Sequence, residues 1–271
     1  MLSPEQVLKS SDFEEISLRE AFMLLTKCRI DAGFAPMVAD LLTYQDAQPK
    51  FSKTPWPMAG LSLLPYNFYD ESINLCPKAT YCPQTCLNFQ GRGKFTPTQL
   101  ARKWRTDLLV KYPRAFYTVL NHELKRFEKK VGPDFLFRPN VFSDVKWESV
   151  LPDEWWDRFS EVRVMDYTKR WDRPEFPRSN YRLAFSVGAK AQLKKIDGLL
   201  ERGSNVAIVF DVAKQESFPE FVGDYRLVDG DTHDNLWDRG NGVILALRAK
   251  GNLKKVDSKF KFGLDSLEGN R

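Results

Sequence analysis

From position 135 onward the chain alternates short apolar runs with helical or turn-like stretches. Runs at 135–137, 162–165, 181–185, 206–210, 225–228 and 243–247 are rich in β-branched and aromatic residues. Between several of them lie amphipathic segments, such as 153–159 and 190–202. A strand that is apolar along its whole length needs cover on both faces. Helices between successive strands of a parallel sheet supply that cover. An earlier run at 61–64 adds a first strand, and the region of Ile73 offers an eighth. The pattern predicts α/β architecture: a single TIM-barrel-like (β/α)8 domain, complete or irregular, with an N-terminal helical extension.

The preceding part of the chain reads differently. Residues 16–30 place Ile16, Ala21, Met23, Leu24, Leu25 and Cys28 among polar residues, with Ser17 as N-cap and Gly33 beyond the end, which predicts a helix. The polar, Pro-rich stretch 45–57 reads as a loop. Thr96-Pro97 opens a helix running to about Lys111, and Pro113 starts another that Gly132 closes. Neither an internal repeat nor a linker divides the chain. The expected organisation is an extension over 1–56, a barrel-like core over 57–251 with a cysteine loop at 74–93, and a basic tail over 252–271.

Composition narrows the class. The chain has 271 residues, 42% hydrophobic and 28% charged, which excludes disordered and collagen-like chains. A formal charge of +5 is mild and leaves contact with nucleic acid open without requiring it. The N-terminus lacks the basic and apolar regions of a secretory signal, and no apolar run reaches the ~18 residues of a membrane span. A reducing cytoplasm, with no membrane partner, is the expected setting.

Polar residues close most of the predicted strands. They include Asp144, Asp166 with Lys169, Ser186, Asp211, Asp229 with Asp231, and Arg248 with Lys250. In a parallel barrel all strand C-termini open on one face, where active sites are built. Asp144, Asp166, Lys169, Asp229, Asp231, Arg248 and Lys250 are therefore candidate catalytic residues of one mouth. Carboxylates mixed with cations suit acid–base work or an anionic ligand. They equally suit an ion-pair network that closes the barrel.

Three of the four cysteines, Cys76, Cys82 and Cys86, fall within eleven residues in a C-x5-C-x3-C spacing. An odd trio in a reducing compartment points to metal rather than disulfides. Soft thiolates select iron–sulfur clusters or zinc. Structural zinc prefers four ligands, commonly in C-x2–4-C pairs; no CxxC pair exists here, and only two histidines, His122 and His233, are available. Cys76, Cys82 and Cys86 are therefore the expected ligands of a [4Fe–4S] cluster, with zinc and unliganded thiols as alternatives. The candidates for a fourth ligand are His233 and Cys28, against a small molecule or water on an open iron. Cys28 also suits a buried structural thiol of its helix.

A three-cysteine loop after the first strand of a barrel resembles the cluster loop of radical-SAM enzymes, although their spacing is C-x3-C-x2-C. That analogy would bring S-adenosylmethionine to the open iron. A second resemblance covers most of the chain, from about Leu41 to Gly251. It rests on Asn74-Leu75-Cys76-Pro77, Cys82, Cys86-Leu87-Asn88 and Gly91-Arg92-Gly93, then on Ser143-Asp144, Trp147-Glu148 and Asp166-Tyr167-Thr168-Lys169. It continues through Asn180-Tyr181, Phe185-Ser186, Val209-Phe210, Asp229-Gly230-Asp231 with Asp234, and Leu247-Arg248-Ala249-Lys250-Gly251. In these blocks the chain resembles the phage- and plasmid-borne gene product 88 family. The resemblance implies a phage-encoded protein working in the host cytoplasm, and it carries no known activity.

Other features leave two readings each. Gly91-Arg92-Gly93-Lys94 suits a phosphate cradle or a plain turn, since the P-loop spacing is absent. Cations such as Arg102, Arg105 and Lys125, interleaved with Trp104, Phe116 and Tyr117, suit single-stranded nucleic acid or an ordinary helical core with a solvated face. The run 250–261 is basic and suits a tail. Two functions follow as expectations: an enzyme whose open iron binds a small molecule, or a cluster- or zinc-stabilised module for nucleic acid or a host protein, without catalysis.

Overall fold

The structure, a computed structural model, describes residues 1–8, 13–37, 39–47, 51–69, 72–79, 82–254 and 261–267. Seven α-helices are formed by these residues: α1 (Pro4–Val7), α2 (Leu18–Asp31), α3 (Thr96–Lys111), α4 (Pro113–Val131), α5 (Trp147–Val150), α6 (Asp153–Arg158) and α7 (Ile196–Glu201). The strands are β1 (Thr43–Tyr44), β2 (Met58–Gly60), β3 (Leu136–Arg138), β4 (Arg163–Thr168), β5 (Tyr181–Ser186), β6 (Asn205–Phe210), β7 (Phe221–Val222), β8 (Tyr225–Asp229) and β9 (Ile244–Arg248).

The helix signals act as expected. Ser17 caps α2 by accepting the Glu20 amide at 3.3 Å, and Pro97 and Pro113 sit in the first turns of α3 and α4. Gly132 ends α4 at φ +90°, a conformation that glycine adopts without steric cost. The predicted helix over 190–202 is instead a 3-10 stretch, Lys190–Lys195, followed by α7.

All nine strands share one sheet, ordered β1-β2-β3-β4-β5-β6-β9-β8-β7. The seven from β2 to β8 in that order pair in parallel, and β1 and β7 add antiparallel edges. The apolar runs thus form a parallel sheet, as their lack of alternation requires. Among the described residues the first and last strands do not pair, so the sheet is open. Two local corrections apply. The first parallel strand lies at Met58–Gly60, three residues before the expected run, because its partner β3 ends at Arg138, ahead of Pro139: Gly60 pairs with Arg138, and the Leu61 amide closes the ladder on the Arg138 carbonyl at 3.0 Å. Among the described residues no eighth strand forms at Ile73, which makes an isolated bridge to Leu2.

Period-2 alternation sorts the side chains into two layers. Phe137, Val164, Leu183, Phe185, Val206 and Ile208 face a large core that includes α2, α3 and α4. Met58, Leu136, Met165, Ala184, Ala207 and Leu245 face the opposite side and form a small core of their own. Each of the six comes from a different parallel strand. Parts of the predicted C-terminal tail also pack: Phe262 bridges to Phe210, and Leu267 is buried. The centre of the basic run, 255–260, lies outside the described residues.

Candidate cysteine site and cleft

The side chains two residues beyond the small core, on the same face, form the floor of the site. Arg138 follows Leu136, Tyr167 follows Met165, Ser186 follows Ala184, Val209 follows Ala207 and Leu247 follows Leu245. They stand at the carboxyl ends of parallel strands, where α/β sheets place their ligands.

Cys76, Cys82 and Cys86 line one cavity of about 150 Å3 at this edge, together with Tyr66, Arg138, Asp144, Tyr167 and Lys169. The Cys76 thiol donates to the Phe142 carbonyl at 3.4 Å. The Cys86 thiol hydrogen-bonds to the Cys82 sulfur, and with the nearby Lys169 ammonium this holds the Cys82 thiol below its ordinary pKa. The same bond, with burial, pushes Cys86 up. Burial and the Asp144 carboxylate push Cys76 up. Burial in turn lowers Lys169, against the pull of the sulfur atoms and Asp144. Among the described residues no three His, Cys, Asp or Glu side chains are already closed around a common point as a metal ion would require.

Asn88 holds the far end of the cysteine loop. It is fully buried and accepts from Arg102 Nη1 at 2.5 Å, while Gln99 Nε2 donates to the Asn88 carbonyl at 2.7 Å and the Gly93 carbonyl at 2.5 Å. Arg102 also stacks on Phe142, 3.9 Å from the ring centroid. A Cβ on Gly93 would meet the Leu87 carbonyl oxygen at 2.7 Å, so only glycine permits this approach. Gly91-Arg92-Gly93-Lys94 therefore works as a clamp on α3, with the Gly93 carbonyl turned to side-chain donors.

The opposite wall is fixed by a buried polar network. Asn140 Oδ1 accepts from Ser143 Oγ, the Val145 amide and Trp147 Nε1, at 2.8, 3.0 and 3.1 Å. Asp166 accepts from the Asn140 amide, Asn140 Nδ2 and the Tyr181 hydroxyl. Arg173 is bidentate to Glu148 and also donates to the Tyr181 hydroxyl. Asp144 accepts from Thr168 Oγ1 at 2.7 Å and from the Lys169 amide at 2.8 Å. The N-terminal segment braces this wall, because Glu5 Oε1 takes both the Lys146 amide and Arg170 Nη1.

The structure divides the seven charged candidates. Lys169 and Asp144 line the cysteine cavity, although Asp144 spends its oxygens on the network. Asp166 is fully buried on the helix side of β4, and burial raises its carboxyl to about 6. Asp229, Asp231, Arg248 and Lys250 meet further along the edge: Arg248 Nη1 bonds Asp229 at 2.8 Å, and Lys250 pairs with Asp231 at 2.5 Å. They line an open cleft of about 930 Å3. Cys28 is buried in α2 beside Asp107 and Lys111, and His233 stands beside Asp238 and Arg239. Neither lines the cysteine cavity. Arg138 is a site residue that the sequence reading missed. Its signal was available: it stands two positions after the inward Leu136.

The cations of α3 and α4 are largely spent within the fold. Arg105 donates to the Leu41 and Asp40 carbonyls, Lys103 pairs with Asp107, and Arg126 pairs with Asp40. No helix among the described residues is long and apolar enough to cross a membrane.

Fold and site together define a mixed α/β protein with a mostly parallel sheet and a three-cysteine cleft at its carboxyl edge. Residues 39–262 match the family described as Gene product 88, and the chain belongs to that phage family. No curated protein and no solved structure matches it. The radical-SAM analogy gains nothing from these comparisons.

Proposed function

We propose that this phage protein holds a [4Fe–4S] cluster through Cys76, Cys82 and Cys86, in the reducing host cytoplasm, with one iron left to the adjoining cleft. Three thiols from one short segment sharing one cavity carry this reading. The donor set fits: thiolates are the preferred ligands of such clusters, and Lys169 favours the anionic form of the Cys82 sulfur. Drawing the thiols onto one centre requires movement within a loop that Asn74, accepting the Cys76 amide, and Asn88 hold at its flanks. Such a group supplies electron transfer and, at an iron without a protein ligand, a Lewis-acid position. This chain's own residues orient the loop, exclude water from its base and place a cation beside the sulfur atoms. Six inward side chains, one from each of six parallel strands, support reading the open sheet as an incomplete (β/α) barrel.

Anaerobic purification followed by iron and sulfide analysis, absorbance and electron paramagnetic resonance tests the proposal. The expected protein is brown and carries about four irons and four sulfides per chain. Serine at Cys76, Cys82 or Cys86 removes the colour, while Cys28→Ser keeps it. A colourless protein holding one zinc and no sulfide overturns the cluster.

A further inference from the structure

Beside the cysteine cavity a second cleft of about 200 Å3 opens along the strand ends. Its wall is apolar: Val187, Ala207, Val209, Leu247 and Leu253 line it. Its basic lining comes from Arg138, Lys169, Arg248 and Lys250, and beside the Cys82 sulfur no carboxylate among the described residues lines it. Four separate segments deliver these cations: the end of β3, the residue after β4, the end of β9 and the loop beyond it. The carboxylates that balance them, Asp234 beneath Arg138 and Asp229 and Asp231 beside Arg248, stand outside the lining.

Two donors are left over. The Nε–H groups of Arg138 and Arg248 are buried without a hydrogen-bond partner. The Arg138 side chain is nine-tenths buried and spends Nη1 on Asp234 at 2.6 Å. A buried guanidinium donor without an acceptor costs free energy, and an anion approaching the same delocalised cation from the cleft would offset part of that cost. A mostly apolar pocket with a few convergent polar groups is the ordinary form of a small-molecule site.

We propose that this cleft binds a small organic anion, a carboxylate or phosphate monoester carrying an apolar body. The body lies on Val209 and Leu247, and the anion faces the Arg138, Arg248 and Lys250 side. Cys82 also lines the cleft, but none of the five residues that hold the molecule is a thiol ligand, so its binding does not depend on the metal. Its place beside Cys82 puts such a molecule next to whatever the cysteines hold.

Saturation-transfer NMR and calorimetry on the full chain, with hexanoate, phenyl phosphate, inorganic phosphate and 1-hexanol as probes, test the proposal. Hexanoate or phenyl phosphate is expected to bind saturably at one site per chain, and whichever binds tighter identifies the head group. Inorganic phosphate and 1-hexanol, each lacking one half of the recognised chemistry, bind at least about tenfold more weakly. Lys250→Ala, an exposed position, weakens the anion about tenfold. Val209→Phe fills the cleft and abolishes binding, with the thermal unfolding curve serving as the check on folding. Equal binding of hexanoate and 1-hexanol, or binding that survives both substitutions in folded protein, overturns the assignment. Repeating the titration on Cys76→Ser, which removes a proposed cluster ligand, keeps this result independent of the cluster.

Discussion

Arg138 and Asp234, 96 positions apart in the chain, meet in a buried ion pair with 2.6 Å between Nη1 and Oδ2. The guanidinium also lies over the Tyr167 ring, 5.0 Å from its centroid. Removing one partner of a buried pair strands the other charge in a medium that solvates it poorly, at a cost of about 3–5 kcal/mol. Asp234→Ala should lose that much stability in urea unfolding. Asp40→Ala, which breaks the exposed pair with Arg126, should lose less than about 1 kcal/mol. Equal losses would mean that the buried pair contributes nothing special.

Asn140 is expected to be the most sensitive polar residue of the cleft wall. Its truncation leaves Ser143 Oγ, the Val145 amide and Trp147 Nε1 short of an acceptor in the interior. Each orphaned group costs roughly 1–3 kcal/mol. Asn140→Ala should therefore lose about 3 kcal/mol or more in equilibrium denaturation. A loss under about 1 kcal/mol would show that the loop is held by other contacts.

Glu123 on α4 gives the fold a pH dependence. Its carboxylate accepts the Leu41 and Leu42 amides at 2.7 and 2.8 Å, yet burial pushes its pKa up to about 7. A carboxyl raised in the folded state favours folding while protonated. Its stabilisation is complete below the ordinary carboxyl range and is lost as pH rises through about 7. Unfolding free energy should fall by up to about 3 kcal/mol between pH 5 and pH 8. Glu123→Gln should flatten that slope. Asp166 acts in the same direction but finishes near pH 6, so the difference between wild type and variant isolates Glu123. A wild-type curve rising with pH over this range would contradict the assignment.

Gly60 lies at the end of β2, where a Cβ would meet Phe51 Cζ at 2.5 Å and Val141 Cγ2 at 2.9 Å. Phe51 is thereby packed against bare backbone. Gly60→Ala should cost about 1–3 kcal/mol by overpacking, read as a lower thermal midpoint. Combining it with Phe51→Leu should recover part of the loss. An additive double variant would refute the steric origin.

The strands and long helices were legible in the sequence because their signals are local. Apolar runs bounded by Gly and Pro put most strand bounds within one or two residues, and Pro97, Pro113 and Gly132 bracket α3 and α4. The order β6-β9-β8 and the two-residue edges β1 and β7 were not legible, since long-range pairing leaves no mark on a short segment. At the site, the cysteine trio was found by spacing, while Asp166 was grouped with Lys169 by proximity alone. Alternation separates them: Met165, Tyr167 and Lys169 share the cleft side, and Val164, Asp166 and Thr168 share the other. The same rule would have found Arg138.

The bond from Arg170 to Glu5 spans 165 positions. Glu5 is made before both partners, and Arg170 follows only after β2, β3 and β4. Closing so long a loop is entropically costly and slow to reward, which places this brace late in folding. Until it closes, the wall behind the thiols stays unsupported, so the order of synthesis leaves a window in which the cysteine loop is open to solution before its fold is locked.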